Sequence, residues 1–225
     1  MISLAATGFD VLIIGAGQAG LATAHALRQS GLAVALVDHH ARVGDSWRRR
    51  YDSLVLFTPR RYSSLPGLPL EGDPDRYPTK DEIADYLERY CAAHAFRVMH
   101  RTRIVSLSLS GNRRAGGFEA VASSGQSLRA RAVVIATGPF QEPVVPAAAA
   151  MLPAAVAQST VDSYRNPAAY KGKRVLVAGD GASGRQIALE LAPSASVTLA
   201  TGKPRRVMPD RIFGKSVFWW LESCG

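Results

Sequence analysis

Two glycine-rich stretches share the spacing G-x-G-x-x-G, formed by Gly15, Gly17 and Gly20 in the first and by Gly179, Gly181 and Gly184 in the second. In such a turn the first glycine permits a tight bend, the second lets the backbone approach a pyrophosphate, and the third allows a helix to pack closely on a strand. The unpaired N–H groups at the start of that helix favour a phosphate. Because a packing turn can have the same glycines, the flanking residues must decide between the two interpretations.

The residues downstream of the two turns differ in charge. Asp38 lies at the end of the strand after the first turn, where its carboxylate can accept hydrogen bonds from an adenosine ribose. A packing turn explains the glycines but not this acid. Thr201 stands at the corresponding position after the second turn, followed by three cations, Lys203, Arg205 and Arg206. Cations without an acid suit the 2′-phosphate of NADPH, although they could also form only a solvated loop. The simplest pair of ligands is therefore FAD at the first turn and NADPH at the second, since FAD can accept the hydride that NADPH donates.

The elements around each turn predict a strand, a helix and a parallel strand. The first unit comprises a strand at 9–14, a helix to about residue 30 and a strand at 33–38; the second comprises a strand at 174–178, a helix at 182–191 and a strand at 196–201. Between them, apolar residues at helical spacing predict a helix from Thr79, with Ile83, Tyr86, Leu87 and Tyr90 on one face. Short strands at 103–109, 118–122 and 127–132 predict an antiparallel meander, and a separate buried strand is expected at 132–136.

Composition excludes several other classes of protein. The net charge of +9 raises the possibility of nucleic-acid binding, but the 27 Lys and Arg residues are scattered and no such motif accompanies them. No apolar stretch approaches the roughly 20 residues of a membrane span. The two cysteines, Cys91 and Cys224, are far apart and indicate neither a metal site nor a disulfide framework. We therefore expect a cytoplasmic protein with no metal and no nucleic-acid or membrane partner.

Several further motifs follow one another along the chain: Gly44-Asp45-Ser46-Trp47, Tyr51-Asp52-Ser53-Leu54, Phe57-Thr58-Pro59, Tyr77-Pro78-Thr79-Lys80, Ala136-Thr137-Gly138, Tyr164-Arg165-Asn166-Pro167 and Phe218-Trp219-Trp220-Leu221. In type and order they resemble the motifs of flavin-containing monooxygenases and the plant YUCCA enzymes, over nearly the whole chain. The resemblance implies an α/β fold with two Rossmann-like dinucleotide-binding domains of the glutathione-reductase class, the second one incomplete. It also implies NADPH-driven oxygenation of a small-molecule substrate by O₂ through a flavin hydroperoxide.

The resemblance also implies which residues contact the cofactors. Gly44 and Trp47 are expected along the FAD, Thr58 near the flavin ring, and Thr137 with Gly138 over the cofactor. In chain order, the predicted cofactor-binding residues are Gly15, Gly17, Gln18, Ala19, Gly20, Asp38, Gly44, Trp47, Thr58, Ile104, Thr137, Gly138, Gly179, Gly181, Ser183, Gly184, Lys203 and Arg205. No catalytic side chain is predicted, because in such enzymes the cofactor carries the chemistry.

The predicted domains are an FAD-binding domain with a small antiparallel meander at 1–150 and a partial NADPH-binding domain at 151–225. Compared with the family, the second domain has only two recognisable strands before the sequence ends. We therefore expect impaired oxygenation, and association with a complementing C-terminal partner or as a homo-oligomer. Two alternatives are a non-catalytic dinucleotide-binding fragment and a flavin disulfide reductase; the latter requires a redox cysteine pair that the sequence lacks.

The cations beyond the second turn give the first testable prediction. Replacing Lys203 and Arg205 together with Ala should weaken NADPH far more than NADH, because each charge-assisted bond to the 2′-phosphate contributes about 1.5–3 kcal/mol. Equilibrium binding of both nucleotides to the parent and the double variant measures the effect. Equal losses for NADPH and NADH would contradict the assignment.

Overall fold

A computed structural model describes residues 8–110, 116–202 and 209–224 of the chain. Its helices are α1 Gln18–Leu27, α2 Asp45–Arg48, α3 Lys80–Ala93, α4 Ala182–Leu191 and α5 Val217–Cys224, with 3₁₀ turns at Arg60–Tyr62, Ala147–Met151 and Pro167–Tyr170. Its strands are β1 Gly8–Ile14, β2 Val34–Val37, β3 Val98–Met99, β4 Ile104–Ser110, β5 Gly117–Ala122, β6 Ser127–Ile135, β7 Arg174–Ala178, β8 Ser196–Ala200, β9 Arg211–Ile212 and β10 Lys215–Ser216. Among the described residues, no helix is long and apolar enough to cross a bilayer.

The chain forms two compact units that are not continuous in sequence. The first contains the chain up to Arg48 together with Ser64–Leu70 and Asp81–Gln141, and the second contains Arg49–Ser63, Glu71–Lys80 and the chain from Glu142. The predicted division at residue 150 differs from this arrangement, because the segments 49–63 and 71–80 make their contacts within the second unit. The assignment of FAD to one unit and NADPH to the other stays a prediction.

The first unit is built on a sheet whose strand order is β3-β2-β1-β6-β5-β4. β1 lies in its middle and pairs in parallel with β2 on one side and with β6 on the other. Leu12 and Ile13 of β1 are completely buried, and Leu21 of α1 is buried too. The predicted strand, helix and parallel strand around the first turn are therefore confirmed. Because β1 and β2 are parallel, the turn that follows β1 and Asp38, which follows β2, lie at the same edge of the sheet.

Strand β6 corrects the prediction of a separate meander strand and buried strand. It is a single strand that lies between β5 and β1: Ser127–Ala130 pair antiparallel with β5, and Arg129–Ile135 pair in parallel with β1. Leu128 and Ala130 are buried, but none of the residues 132–136 is, and Ile135 is 69% exposed, so the predicted burial of the strand at 132–136 is wrong. The apolar run predicts a strand, whereas its burial and its pairing with both β5 and β1 depend on which elements pack around it. The two-residue strand β3 has no counterpart in the prediction, because so short a segment has no periodicity.

Helix α3 confirms the predicted face: Ile83, Tyr86, Leu87 and Tyr90 are all at most 1% exposed. The two tyrosines also fasten a loop of the same unit. The hydroxyl of Tyr86 donates to the carbonyl of Leu68 at 2.6 Å, and that of Tyr90 donates to the carbonyl of Pro66 at 2.7 Å. The helix is thus fixed by both apolar and polar contacts.

The second unit confirms the second predicted strand, helix and parallel strand. β7 pairs with β8 from Arg174 opposite Ser196 to Ala178 opposite Ala200, and α4 lies between them in sequence. A buried cluster of Tyr51, Tyr164, Ile187 and Leu191 forms its core. This core holds a tyrosine from the segment at 49–63, which explains why that segment belongs to the second unit.

The half-buried His25 of α1 should make the stability of the first unit depend on pH. Desolvation, with the positive charge of Arg28 and the nearby His94, lowers the pKa of His25 below its ordinary value of 6.5. The unfolded chain therefore binds more protons than the folded chain just below pH 6.5, and the stability present above that pH is lost as the pH falls toward the folded-state pKa. We expect the thermal midpoint to drop between about pH 7.5 and about pH 5.5 in the parent, and to drop less in His25→Gln.

The matched control is His100→Gln, at an exposed loop position of the same unit. Circular dichroism melts of the three proteins at both pH values provide the measurement. A His25→Gln variant as sensitive to pH as the parent would contradict the role of this histidine.

Candidate cofactor sites

The first glycine turn has the shape that a pyrophosphate site requires. Gly15 has φ +107°, and a Cβ there would lie 2.3 Å from the carbonyl oxygen of Ala136. A Cβ at Gly20 would lie 1.9 Å from the carbonyl oxygen of Gly15, so both positions exclude any side chain. At Gly17, by contrast, a Cβ would meet no atom of the described chain within 4 Å. Gly17 caps α1 without an acidic residue in the first turn, which leaves the helix N-terminus suited to an anion.

Asp38 is tied directly to this turn. Its Oδ2 accepts a hydrogen bond from the Ala16 N–H at 2.8 Å, and its Oδ1 accepts from the N–H and the Nδ1 of His40, both at 2.8 Å. Burial would raise the pKa of Asp38, but the bonds from Ala16 and His40 outweigh it and hold the pKa below its ordinary value. A carboxylate has about four acceptor positions, so the ionised group still has capacity for a ribose hydroxyl.

His40 is a site residue that the sequence motifs do not identify. Together with His39 it places two imidazoles beside Asp38, with one ligand atom from each of the three side chains within 4.8 Å of the others. Such a group has the composition of a metal site, but the hydrogen bonds of His40 to Asp38 give it a sufficient role in orienting the acid. Its signal in the sequence is only its position two residues after Asp38.

Gly44 and Trp47 form a further turn that reaches the start of α1. Gly44 has φ +88°, and a Cβ there would lie 2.5 Å from the carbonyl oxygen of Ala84 on α3. The N–H of Trp47 donates to the carbonyl of Gly44 at 2.9 Å, and its indole Nε1 donates to Gln18 Oε1 at 3.3 Å. The structure therefore brings Trp47 to Gln18, which with Ala19 forms the exposed start of α1, as a common cofactor surface would require.

Arg48 holds the turn of Gly44 and Trp47 in place, and sequence reasoning does not identify it either. Its guanidinium donates to the carbonyl of Val43 at 2.8 Å and to the carboxylates of Asp85 at 2.8 Å and Glu88 at 2.6 Å on α3. The Arg48 side chain is only 15% exposed, whereas Asp85 and Glu88 are 60% and 46% exposed, so one largely buried side chain reaches two carboxylates at the surface. The pairing joins residues 37 and 40 positions apart, which no local motif reveals.

The remaining predicted FAD residues lie in different surroundings. Thr137 follows β6, and its Cα would be 3.2 Å from a Cβ on Gly15, so it adjoins the first turn. Gly138 comes next, with φ +77°, and a Cβ added there would meet no atom of the described chain within 4 Å. Ile104 packs against the buried cluster of the sheet, and Thr58 lies in the second unit. Cofactor contacts of these residues stay predictions.

The second glycine turn repeats the backbone of the first. A Cβ at Gly184 would lie 2.0 Å from the carbonyl oxygen of Gly179, and Gly179 has φ +109°. Gly181 caps α4, and a Cβ added there would meet no atom of the described chain within 4 Å. Burial raises the pKa of Tyr51, and the Ser183 side chain in the first turn of α4 acts in the opposite direction on the same hydroxyl. This arrangement again suits a pyrophosphate at the helix N-terminus.

Hydrogen bonds at the two glycine turns confirm which residues correspond. The N–H of Gly15 donates to the carbonyl of Val37 at 2.8 Å, and the N–H of Gly179 donates to the carbonyl of Ala200 at 2.9 Å. The next residues are Asp38 and Thr201, which therefore occupy equivalent places at the ends of β2 and β8. The second turn thus has a neutral residue where the first has an acid. Lys203 and Arg205 lie outside the described residues.

Comparison with known proteins fits this arrangement. Residues 12–212 match the family described as pyridine nucleotide-disulphide oxidoreductase. The chain belongs to this oxidoreductase family. A Geobacillus kaustophilus protein described as an uncharacterized CzcO-like oxidoreductase is 46% identical over 96% of the chain, and the indole-3-pyruvate monooxygenase YUCCA1 of Oryza sativa subsp. japonica is 32% identical over 92%. The structure of a flavin-containing monooxygenase from Stenotrophomonas maltophilia is similar with a TM-score of 0.80, at 30% identity over 96% of the chain.

These matches confirm the resemblance to flavin-containing monooxygenases and YUCCA enzymes and the Rossmann-type fold of this oxidoreductase family. The chain spans 61% of the length of the Geobacillus relative, 51% of the YUCCA1 protein and 64% of the Stenotrophomonas chain. Both glycine turns lie within the 12–212 match. The shared part therefore includes the two candidate cofactor sites.

A substitution at Gly17 tests the first site without disturbing the fold. The Cβ position there is open in the described chain, so Gly17→Val should fold but place a side chain where a pyrophosphate would approach. We expect protein that purifies with bound flavin to become largely colourless, with unchanged helix content by circular dichroism. The flavin-to-protein absorbance ratio is the measurement.

The matched control is Gly8→Val at the start of β1, where a Cβ also meets no atom of the described chain within 4 Å. This variant should keep the parent's flavin content. Retention of full flavin content by Gly17→Val would show that the first turn does not bind FAD.

Proposed function

We propose that the chain provides the cofactor-binding part of an FAD-dependent, NADPH-using monooxygenase acting on a small organic substrate with O₂. The observation that carries this proposal is the pair of glycine turns that share one backbone geometry and differ in one equivalent residue, Asp38 against Thr201. When bound, FAD and NADPH would supply the hydride transfer and the activation of O₂. Everything the chain itself supplies is binding, orientation and exclusion of water.

At the first turn, the residues present fit FAD. The N–H groups at the start of α1 would face the pyrophosphate across the open position of Gly17, and Asp38 would accept from the adenosine ribose. A 2′-phosphate would be repelled by the ionised Asp38, whose pKa is held low. Trp47, held by its bond to Gln18, would lie along the cofactor.

At the second turn, the residues present fit NADPH. Gly181 leaves the N-terminus of α4 open to the pyrophosphate, and Ser183 offers a hydroxyl beside it. The neutral Thr201 does not repel a 2′-phosphate, and Lys203 and Arg205 are predicted to form ion pairs with it. The exposed position of Thr201 agrees with a nucleotide end that faces solvent.

A flavin disulfide reductase is less well supported by the cysteines. Cys91 is half-buried on α3, and its Sγ contacts the carbonyl of Phe96 at 3.4 Å. Burial raises the pKa of the Cys91 thiol, which disfavours the thiolate that disulfide exchange needs. Cys224 is exposed in α5 of the other unit. A non-catalytic dinucleotide-binding protein is the remaining alternative, and reduction of bound flavin by NADPH separates it from an oxygenase.

A substitution at Gly181 tests the proposed division of labour. Gly181→Val should fold, because its Cβ position is open in the described chain, but should block the pyrophosphate of NADPH. We expect the variant to keep its flavin and to be reduced by dithionite. The rate of flavin reduction at a fixed NADPH concentration should fall by at least about 100-fold because NADPH binds more weakly, each factor of ten corresponding to about 1.4 kcal/mol of lost binding free energy. Anaerobic absorbance at the flavin maximum follows the reduction.

The parent protein serves as the reference and should be reduced by NADPH and reoxidised by O₂. Flavin bound by the parent but never reduced by NADPH would favour the non-catalytic alternative. Unimpaired NADPH reduction in Gly181→Val would contradict the assignment of the second turn.

A further inference from the structure

The side chain of Gln186 joins α4 to a distant segment of the same unit. Gln186 lies two residues after Gly184, in the part of α4 that follows the second glycine turn. The hydroxyl of Tyr51 donates to its Oε1, and its Nε2 donates to the carbonyl of Val55 at 3.1 Å. Both polar atoms of one amide are therefore bound to residues 51–55.

Tyr51, which donates to Gln186, is held rigidly by the core around it. It is 1% exposed and packs with Tyr164, Ile187 and Leu191 in the core of the second unit. Burial raises the pKa of Tyr51, which keeps its hydroxyl a neutral donor. The Ser183 side chain acts on the same hydroxyl in the opposite direction to burial, which places Tyr51 beside the first turn of α4 as well as at Gln186.

The far side of the segment is fixed by other backbone contacts. Val55 forms a β-bridge with Thr79, the N–H of Lys80 donates to the carbonyl of Leu54 at 3.0 Å, and the N–H of Leu56 donates to the carbonyl of Pro78 at 2.9 Å. Residues 51–58 are here called the 51–58 segment, and its part from Tyr51 to Leu56 is thus held between α4 and residues 78–80. Because the segment is bonded on both sides, a shift of the α4 N-terminus is expected to move the segment as well.

We propose that Gln186 is a positioning residue that couples nucleotide occupancy of the second glycine turn to the 51–58 segment. This inference rests on the proposed function, in which the second turn binds NADPH, and on the position of Thr58 near the flavin ring that the family resemblance implies. Nucleotide bound at the N–H groups of α4 orders the first turns of that helix. Through Gln186 and Tyr51, this ordering extends to the 51–58 segment.

Hydrogen–deuterium exchange of the full chain, with and without saturating NADP⁺, tests the coupling independently of turnover. In the parent, NADP⁺ should slow amide exchange both in α4 and in the 51–58 segment. In Gln186→Leu, which has nearly the same volume but neither polar atom, protection of α4 should persist while most of the protection at 51–58 is lost. The rate of flavin reduction at saturating NADPH should fall about tenfold with little change in the Kd for NADP⁺, because misplacement acts on the reacting geometry.

The matched control is Gln158→Leu, which removes an exposed glutamine that also donates to a carbonyl of the same unit, that of Ala149 at 3.0 Å. It should behave as the parent does. Undiminished protection of 51–58 in Gln186→Leu would overturn the proposal. Absence of protection in both regions of the parent would instead overturn the assignment of the nucleotide site and, with it, this inference.

Two further variants keep the test decisive if Gln186→Leu melts at a lower temperature than the parent. Gln186→Glu retains an acceptor for Tyr51 but has no donor for Val55, and Tyr51→Phe retains the ring but removes the hydroxyl. Each should lose part of the protection at 51–58 while α4 stays protected. Full protection in both would overturn the coupling.

Discussion

The structure depends on the absence of a Cβ at two glycines, Gly20 and Gly184. A side chain there would approach the carbonyl oxygens of Gly15 and Gly179 to 1.9 and 2.0 Å, far inside van der Waals contact. Because no side chain intervenes, each helix begins directly against the end of its strand, and its first N–H groups face outward from the sheet edge. An anion site then arises from backbone alone, without any charged side chain.

What distinguishes the two turns is the support around this shared backbone. The first is braced from several sides: Ala136 packs on Gly15, and Asp38 accepts from Ala16 while His40 orients the carboxylate. The second has Thr201 in the place of the acid, and a Cβ at Gly179 would meet no atom of the described chain. Shared geometry with different local charge is the physical basis for expecting two different dinucleotides, since a carboxylate favours ribose hydroxyls and repels a phosphate.

An irregular segment within the predicted FAD-binding domain contributes more to the organisation of the chain than its composition indicates. Residues 49–63 have the Arg-rich composition of an irregular loop, yet Tyr51 is part of the core of the second unit. Such a segment can transmit a change at a nucleotide site because its polar groups are bonded on both sides, to Gln186 and to residues 78–80. A segment without regular secondary structure can therefore hold its residues in fixed positions when tertiary contacts replace the hydrogen bonds of a helix or sheet.

The sequence by itself determined the two glycine turns, the strand–helix–strand units around them and the buried face of α3. Each of these depends on the spacing of residue types that are close together in the sequence. It also determined that Asp38 and Thr201 correspond, since each directly follows the second strand of its unit. The tertiary structure decided that β6 serves two partners, that Arg48 is paired on α3 and that Gln186 binds residues 51–55. Those features join side chains far apart in sequence, and they depend on how elements pack, which no local periodicity encodes.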